Sequence, residues 1–413
     1  MSKLNGIRII LGCGLLAFWA GVIPFAYPGV MSTYWKEKFH VGNGETGLIV
    51  TFMLLALSLA MFISGRIHLK FGMTSCIVSG TTITAIAFMF LFFARSIYWI
   101  YVWGFIANFG LSFLYGPGLT TVQQAFPTKR GLVSGILNLV FALSAAIMSP
   151  ILNVMINRPG YQVTNIIVLI LIIVSSAISC FLLRVHRHNQ KNEKKNEELS
   201  YDLTAKEALK TKEFWIIWFI WLFMGAAGIS MVSLSKSYSV YIGETGVIIL
   251  TAFNLANGIC RIFVGWISDL IGTRLMGAIA FLLAATGYLI VPHTSKVLFV
   301  SLCVIGVGIG FGTLFTVSGP LASTIFGIKN FGTIYGLIFT GYGIIGSIVG
   351  PAVTGFILEK TDNNYVIVFS YLAVLALIGM VLIILIKEKK INKTKNSNIK
   401  FNTLVEVNIE GNN

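Results

Sequence analysis

The sequence predicts an all-α membrane protein with twelve transmembrane helices in two pseudo-symmetric six-helix bundles. Three observations predict this fold class. The 413 residues are 56% hydrophobic and 11% charged, whereas soluble domains contain about 25% charged residues. Twelve apolar runs have the ~20 residues that a helix needs to cross a bilayer. Several motifs of the first half return in the second half about 200 residues later.

The apolar runs define twelve predicted spans, which we number in chain order. Lipid offers the backbone no hydrogen bonds, so each run should be helical. None of the runs has the alternating pattern of a transmembrane β-strand. Pro24 and Pro28 predict a bend in the first span. The spans start near Ile9, Thr46, Met73, Tyr98, Leu132, Val163, Phe214, Thr245, Leu275, Val297, Thr333 and Val366.

The spans divide the chain into four parts. Residues 1–184 form the first six-helix bundle and residues 213–387 form the second. Residues 185–212 between them are a hydrophilic, cytoplasmic linker, in which the stretch from Thr204 to Glu207 predicts a capping box and a short amphipathic helix. Residues 388–413 are rich in Asn and Lys and are predicted to form a disordered cytoplasmic tail.

The positive charges indicate the orientation in the membrane. The formal net charge of +15 could indicate nucleic-acid binding, but the charges lie in short loops and tails between apolar runs. With both termini cytoplasmic, 22 Lys and Arg residues lie inside and 7 lie outside. Cytoplasmic loops carry such an excess. We therefore expect a multi-pass protein of the cell's inner (plasma) membrane. Its expected partners include membrane lipid and exclude nucleic acid.

The cysteine pattern does not predict a metal site, and the sequence contains no catalytic motif that would predict an enzyme. The five cysteines lie inside apolar runs, and no two have the spacing of metal ligands. The phosphate-loop, nucleophile-triad and zinc-ligand patterns do not occur in the sequence. We expect no cofactor and no covalent chemistry.

Four motif pairs, in the same order in each half, indicate an internal repeat. Two halves related by an axis along the membrane normal are suited to alternating access around a central site. The pairs are Gly44-Glu-Thr-Gly47 with Gly243-Glu-Thr-Gly246, the stretch from Gly65 to Gly72 with that from Gly265 to Gly272, Pro150 with Pro351, and Tyr115-Gly-Pro117 with Ser318-Gly-Pro320.

Arg261 is the only formal charge well inside a predicted span, because the acidic residues and histidines lie in loops, tails or helix ends. An Arg at this depth costs ~2.5–3.5 kcal/mol on insertion scales. A substrate carboxylate would match its planar fork. The alternative is snorkelling, since Asp269 marks the inner helix end only roughly 12 Å away.

Asn254 and Asn257 share a helix face with Arg261, because they precede it by seven and four residues. We take both as candidate substrate-binding residues. Asn257 could bind the anion or orient Arg261. The alternative for Asn257 is an amide hydrogen bond between helices.

The glycines and charges after the second and eighth spans resemble the loop motif of the major facilitator superfamily. The second-half loop keeps the family's form as Gly265, Asp269, Gly272 and Arg274. The first-half loop keeps Gly65, Lys70 and Gly72, but Leu69 stands in place of the acidic residue. The resemblance implies a gating or structural role for these residues and puts the charge relay of the first loop in doubt.

Within this superfamily, three stretches resemble the oxalate/formate antiporter family and the monocarboxylate transporters. They are Phe126-Pro-Thr-Lys-Arg-Gly131, Leu203-Thr-Ala-Lys-Glu-Ala208, and Asn257-Gly-Ile-Cys-Arg261 followed by Gly265-Trp266. The resemblance implies that Arg261 binds the substrate carboxylate. Tyr342 falls where the oxalate exchanger of the family has a Lys, which leaves one buried positive charge and favours a monoanion over a dianion.

The same resemblance places Tyr27 and Tyr115 in the first-half wall of the site. Their alternative role is packing or contact with lipid. Phe311 and Phe315 of the tenth span could line the cavity, but packing is the simpler interpretation.

Together these features predict a secondary active transporter of small organic anions, above all monocarboxylates of the lactate, pyruvate or formate type. Alternating access would be coupled either to exchange or to a proton as second partner. The alternatives are a proton-coupled drug or sugar carrier of the same fold, which commonly uses an acid inside the membrane, and a transporter-like sensor that binds without translocating.

Overall fold

The computed structural model of the protein describes residues 3–193, 202–243 and 248–386. These residues are almost entirely helical, with one 3₁₀ turn (Val291–His293) and one π-helical segment (Gly341–Gly346). The α-helices are α1 (Lys3–Phe25), α2 (Tyr27–Phe39), α3 (Asn43–Phe92), α4 (Ile97–Ala125), α5 (Arg130–Asn157), α6 (Tyr161–Glu193), α7 (Ala205–Ala208), α8 (Lys212–Tyr241), α9 (Ile248–Ile271), α10 (Thr273–Ile290), α11 (Val297–Phe326), α12 (Phe331–Thr340), α13 (Ser347–Lys360) and α14 (Tyr365–Leu385).

The described residues hold eleven helical stretches that are long and apolar enough to cross a membrane. One of them, Glu45–Phe92, has 48 residues, about twice the number that one crossing needs. It breaks at Gly72, where the backbone leaves the helical region. This stretch therefore supplies the second and third spans, so the prediction of twelve transmembrane helices is confirmed.

Two spans depart from regular α-helix. The first span is divided at Ala26 into α1 and α2, between Pro24 and Pro28. The eleventh span consists of α12, the π-helical segment and α13, a change of helix type that the sequence did not predict. The start of the eighth span near Thr245, the motif residues 244–246 and the tail 388–413 lie outside the described residues.

The internal repeat is visible in the backbone. Gly72 has a φ of 80° and ends the second span. Gly272, at the corresponding place in the second half, has a φ of 96° and separates α9 from α10. Both values lie in the left-handed region, which glycine adopts at little cost. The two loop motifs therefore share a backbone turn, although their side chains differ.

The segment from Asp202 to Thr211 lies at one end of the bundle, which we call the linker side. The α6 helix continues to Glu193, past residue 184 where the sequence placed the end of the first bundle. The short helix predicted after Thr204 is present as α7, and its capping box with Glu207 is formed.

The linker is attached to the loop between α11 and α12. The Leu203 amide donates to the carbonyl of Phe326 at 2.9 Å. The Lys329 amide donates to the Asp202 carboxylate at 3.0 Å, and the Asn330 side chain donates to the Leu203 carbonyl at 2.8 Å. The linker therefore packs as part of the second half.

The two halves meet along two seams, α5 against α9 and α3 against α12. A Cβ added to Gly131 would lie 2.4 Å from the carbonyl oxygen of Gly265. On the other seam, a Cβ added to Gly65 would lie 2.4 Å from the carbonyl carbon of Gly332. Gly65 lies 200 residues before Gly265, and Gly332 lies 201 residues after Gly131. Glycine pairs therefore let the backbones approach closely on both seams.

Candidate functional site

Arg261 lies in α9 with 2% of its surface exposed, and its guanidinium crosses the α5–α9 seam. Its Nε and Nη2 groups donate to the main-chain and side-chain oxygens of Asn257, at 3.0 and 2.9 Å. Its Nη1 group donates to the main-chain oxygen of Asn138, on α5 of the other half, at 2.9 Å. Snorkelling does not describe this side chain, because it is buried between the halves.

Asn138 is the residue that joins the two halves at this depth. Its Oδ1 accepts from the Tyr115 hydroxyl of α4 at 2.5 Å, and its Nδ2 donates to the Phe315 carbonyl of α11 at 3.0 Å. Asn138 was not predicted from the sequence. The available signal was a polar side chain inside an apolar span, on the same helix face as Gly131 and Gly135.

The Phe315 ring lies beneath the guanidinium, with its centroid 4.7 Å from Cζ of Arg261. Such contacts between a cation and a ring face are attractive. The hydroxyls of Tyr115, Tyr335 and Tyr342 are within electrostatic range of the same group. Phe315 is thus part of the site and not only a packing residue.

An aromatic wall formed by Trp221, Phe315, Tyr335, Phe339 and Tyr342 continues from Phe315 into the second half. The Trp221 ring centroid is 4.9 Å from those of Phe315 and Phe339, and 5.9 Å from that of Tyr342. Tyr335 shares a hydrogen bond with Ser318 at 3.2 Å. The indole N–H of Trp221 has no partner among the described residues. Trp221 was not identified from the sequence.

Four of the six predicted binding residues meet here. Asn257 and Tyr115 are linked to Arg261 as described. Tyr342 lies in the π-helical segment and is buried, and its ring packs against those of Trp221 and Phe315. Asn254 is exposed and forms no described contact with Arg261.

Tyr27 lies elsewhere, in the aromatic core of the first half. Its hydroxyl donates to Oδ1 of Asn165 on α6. Its ring packs against Trp35, Phe88 and Trp103, with centroids 5.1 to 6.3 Å apart. These contacts use both the ring and the hydroxyl, so Tyr27 belongs to the first-half core and not to the group of residues around Arg261.

The loop motif of the second half closes the linker side. The carboxylate of Asp269 accepts hydrogen bonds from the amides of Gly131 and Leu132, at 2.8 and 2.9 Å. These amides begin α5, and a helix N-terminus favours a negative charge. Arg274 donates to the Ile386 carbonyl at 3.0 Å and so ties α10 to the end of α14.

The first-half motif cannot form the same contact, because Leu69 stands at the position of Asp269 and is 43% exposed. Gly65 still packs against Gly332, while Lys70 and Phe71 contact each other at the surface. The two seams therefore have matching backbones but different chemistry.

Arg261 has no carboxylate partner among the described residues, and these residues contain no group that could hold a metal ion. Its neighbours are two carbonyls, one amide oxygen and an aromatic ring. Three of its five N–H groups are used in these bonds. The site therefore has a buried positive charge that only dipoles compensate.

Several proteins are similar to this chain in sequence. Its sequence is 28% identical over 211 residues to the oxalate:formate antiporter of Oxalobacter formigenes, covering 49% of each chain. The chain thus spans about half the length of this relative. It is 24% identical over 394 residues to an agnestins efflux protein of Paecilomyces divaricatus, covering 93% of this chain and 88% of that protein.

A third relative, human monocarboxylate transporter 2, is 22% identical over 195 residues, which is 46% of this chain and 41% of that protein. Among solved structures, the transporter FucP in the outward conformation superposes with a TM-score of 0.65 at 16% identity, covering 92% of this chain and 99% of that one. This likeness concerns the fold alone. The sequence matches the Major Facilitator Superfamily over residues 9–247 and 228–407, and the chain therefore belongs to this superfamily of membrane transporters, which are not enzymes.

Proposed function

We propose that this transporter carries small organic monocarboxylates, of the lactate, pyruvate or formate type, and that the substrate carboxylate pairs with Arg261. One observation carries the proposal: Arg261 is buried between the halves without a carboxylate partner among the described residues. A buried charge without a counterion is unfavourable. A negatively charged substrate would remove that penalty.

The remaining donors of Arg261 suit a carboxylate. The three described bonds leave one N–H on each terminal nitrogen. Two such groups match the two oxygens of a carboxylate. At 4 Å and an effective dielectric constant near 20, the attraction between the two charges is about 4 kcal/mol. Asn257 accepts two hydrogen bonds from the guanidinium and so acts as a positioning residue for Arg261.

The charge count favours a monoanion. Arg261 is the only formal charge well inside a span, and Tyr342 stands where the oxalate exchanger of the resembling family has a Lys. One positive charge balances one carboxylate, whereas a second carboxylate would be buried without a counterion. Similarity to proteins named oxalate:formate antiporter and monocarboxylate transporter supports an organic anion as substrate.

Alternating access would follow from opening the two seams. The linker side is held by Asp269 and the glycine pairs, and the positive-inside rule assigns this side to the cytoplasm, with both termini there. Separating the seams breaks the bond from Arg261 to Asn138 and exposes the guanidinium to water. Closing the empty carrier again would bury this charge without a counterion, which is unfavourable. We therefore favour exchange, with a proton that travels on the substrate as the alternative coupling.

The test is uptake by the purified full chain in liposomes. Wild-type protein should catalyse counterflow of labelled pyruvate, lactate or formate, and Arg261→Gln should abolish it at unchanged expression and monodispersity. Arg158→Gln, which removes a charge from the exposed turn after α5, is the matched control and should leave uptake unchanged. Equal uptake by wild type and Arg261→Gln would refute the proposed mechanism.

A further inference from the structure

Trp221 on α8 is a fully buried side chain whose indole N–H has no partner among the described residues. The other tryptophans of the same helix differ in this respect. The indole N–H of Trp218 donates to Oγ1 of Thr340 at 3.0 Å, and that of Trp215 donates to the Leu209 carbonyl. Buried donors are nearly always paired in folded proteins, so the unpaired donor of Trp221 needs an explanation.

The position of Trp221 relative to Arg261 is set by Phe315. The Phe315 ring lies 4.7 Å from Cζ of Arg261 and 4.9 Å from the indole ring. The centroid of the indole ring is therefore at most about 10 Å from Cζ of Arg261. A two- or three-carbon acid with a hydrogen bond of ~3 Å at either end would span such a distance.

The residues between the two halves are polar on one seam and apolar on the other. The α5–α9 seam contributes the polar groups Arg261 and Asn138. At the corresponding positions of the α3–α12 seam stand Met61 and Phe339, 200 residues before Arg261 and 201 residues after Asn138. Phe339 packs on the other side of Trp221, 4.9 Å away. An acid anchored on Arg261 would therefore have its charged end at one seam and its tail at the aromatic wall.

We infer that the Trp221 indole N–H is the second recognition point of the site, and that it selects monocarboxylates with an acceptor oxygen beside the carboxylate. Such an oxygen is present in 2-oxo and 2-hydroxy acids, and it is absent from formate and from unsubstituted acids of the same length. An acid without it leaves the buried donor unpaired, which weakens its binding. This inference rests on the proposed function, because it takes Arg261 as the carboxylate anchor.

The experiment compares two acids of equal charge and length in liposomes that contain the full chain. Half-maximal inhibition of labelled pyruvate counterflow is measured with unlabelled pyruvate and with propionate. Wild-type protein should prefer pyruvate about tenfold, as expected for one hydrogen bond to a buried donor. Trp221→Phe keeps an aromatic ring without the donor, so it should lower the preference for pyruvate over propionate five- to tenfold.

Two further variants make the result specific. Trp218→Phe, on the same helix but with a paired indole, should keep the wild-type preference. Trp221→His retains a ring N–H and should recover part of the preference that Trp221→Phe loses. Propionate transport by each variant reports that it is folded.

The possible failures are distinguishable. An unchanged ratio of pyruvate to propionate in Trp221→Phe, or an equal loss for both acids, would overturn the role of Trp221 and leave the proposed function standing. Absence of Arg261-dependent transport of pyruvate, lactate and formate by folded wild-type protein would overturn the proposed function itself.

Discussion

The guanidinium of Arg261 donates to the main-chain carbonyl of Asn138 at 2.9 Å, across the seam between the two halves. The Asn138 side chain donates in the opposite direction, to the Phe315 carbonyl of the second half. These two bonds cross the seam beside the proposed anchor for the substrate. Opening of the linker side must break both, so substrate binding and closure act on the same guanidinium.

We predict that Asn138→Leu shifts the carrier toward the state that is open on the linker side. The variant leaves the Tyr115 hydroxyl and the Phe315 carbonyl without their partner, at a cost of about 1–3 kcal/mol. Spin labels at the exposed positions Lys129 and Leu270, in a background without the native cysteines, should report a longer distance. Asn165→Leu, within the first half, should lower thermal stability without changing this distance.

Asp269→Asn should weaken closure of the linker side. The amide has one acceptor oxygen and no charge, so it cannot hold both the Gly131 and Leu132 amides as the carboxylate does. Loss of a charged group at a helix N-terminus costs about 0.3–2 kcal/mol. The same spin-label distance measures the shift, which should be larger at low than at high ionic strength.

The complementary variant Leu69→Asp should have the opposite effect. It restores an acidic residue at the corresponding place in the first half, four residues after Gly65, which packs against Gly332 near the start of α12. We expect a larger fraction of protein closed on the linker side. A change toward opening would contradict the equivalence of the two seams.

Gly135→Ala should block transport. A Cβ at this position would lie 2.2 Å from the main-chain oxygen of Arg261, so the α5–α9 seam cannot close without moving a backbone. Gly14→Ala is the matched control, because it also lies inside a helix and its added Cβ meets no atom within 4 Å. That control should keep transport and gain up to about 1 kcal/mol of helix stability. Normal counterflow by Gly135→Ala would show that the seam does not close this tightly during transport.

Arg261→Lys should separate charge from geometry. The ammonium keeps the positive charge but cannot present the planar fork that spans Asn257, Asn138 and a carboxylate. We expect substrate affinity to fall by roughly 10- to 100-fold, as for the loss of one to two charge-assisted hydrogen bonds. The affinity of Arg261→Lys should therefore lie between those of wild type and Arg261→Gln. Isothermal titration of purified protein with pyruvate measures this loss.

The capping box of α7 should make the linker sensitive to acid. The Thr204 amide and hydroxyl donate to the Glu207 carboxylate at 2.7 and 2.8 Å, and these bonds hold the pKa of Glu207 below its usual value. A lowered folded-state pKa stabilises the linker above the unfolded pKa, and this stabilisation disappears as the pH falls through the folded value.

Hydrogen–deuterium exchange of a peptide covering residues 203–211 measures this effect. At neutral pH, Glu207→Ala should exchange faster than wild type, and Glu207→Gln should lie between them, because its amide oxygen still accepts. After correction for intrinsic exchange, wild type should approach Glu207→Ala as the pH falls through the lowered folded-state pKa of Glu207. Equal exchange of wild type and Glu207→Ala at neutral pH would exclude a role for this contact.

Much of the fold could be predicted from the sequence, because each crossing must satisfy its own backbone within an apolar run. The break at Gly72, the division of the first span between Pro24 and Pro28 and the short α7 helix follow from local rules for glycine, proline and capping. The π-helical segment around Tyr342 was not predictable, since it depends on packing of the eleventh span against its neighbours.

The candidate site divides in the same way. The sequence alone identified Arg261, because a charge inside an apolar span is conspicuous, and Asn257, because it lies one turn away. It did not identify the acceptor on Asn138, since every residue has a main-chain carbonyl and composition carries no signal for it. Nor could it separate Tyr115 from Tyr27, which look alike as tyrosines in apolar spans.

The sequence by itself therefore determined the twelve crossings, their repeat, and one buried guanidinium, because these follow from local composition and the cost of charge in lipid. Only the tertiary structure decided which groups meet that guanidinium. The contacts with Asn138, Phe315 and the wall around Trp221 join residues far apart in the chain. They depend on the close approach of two separate halves at glycine-lined seams.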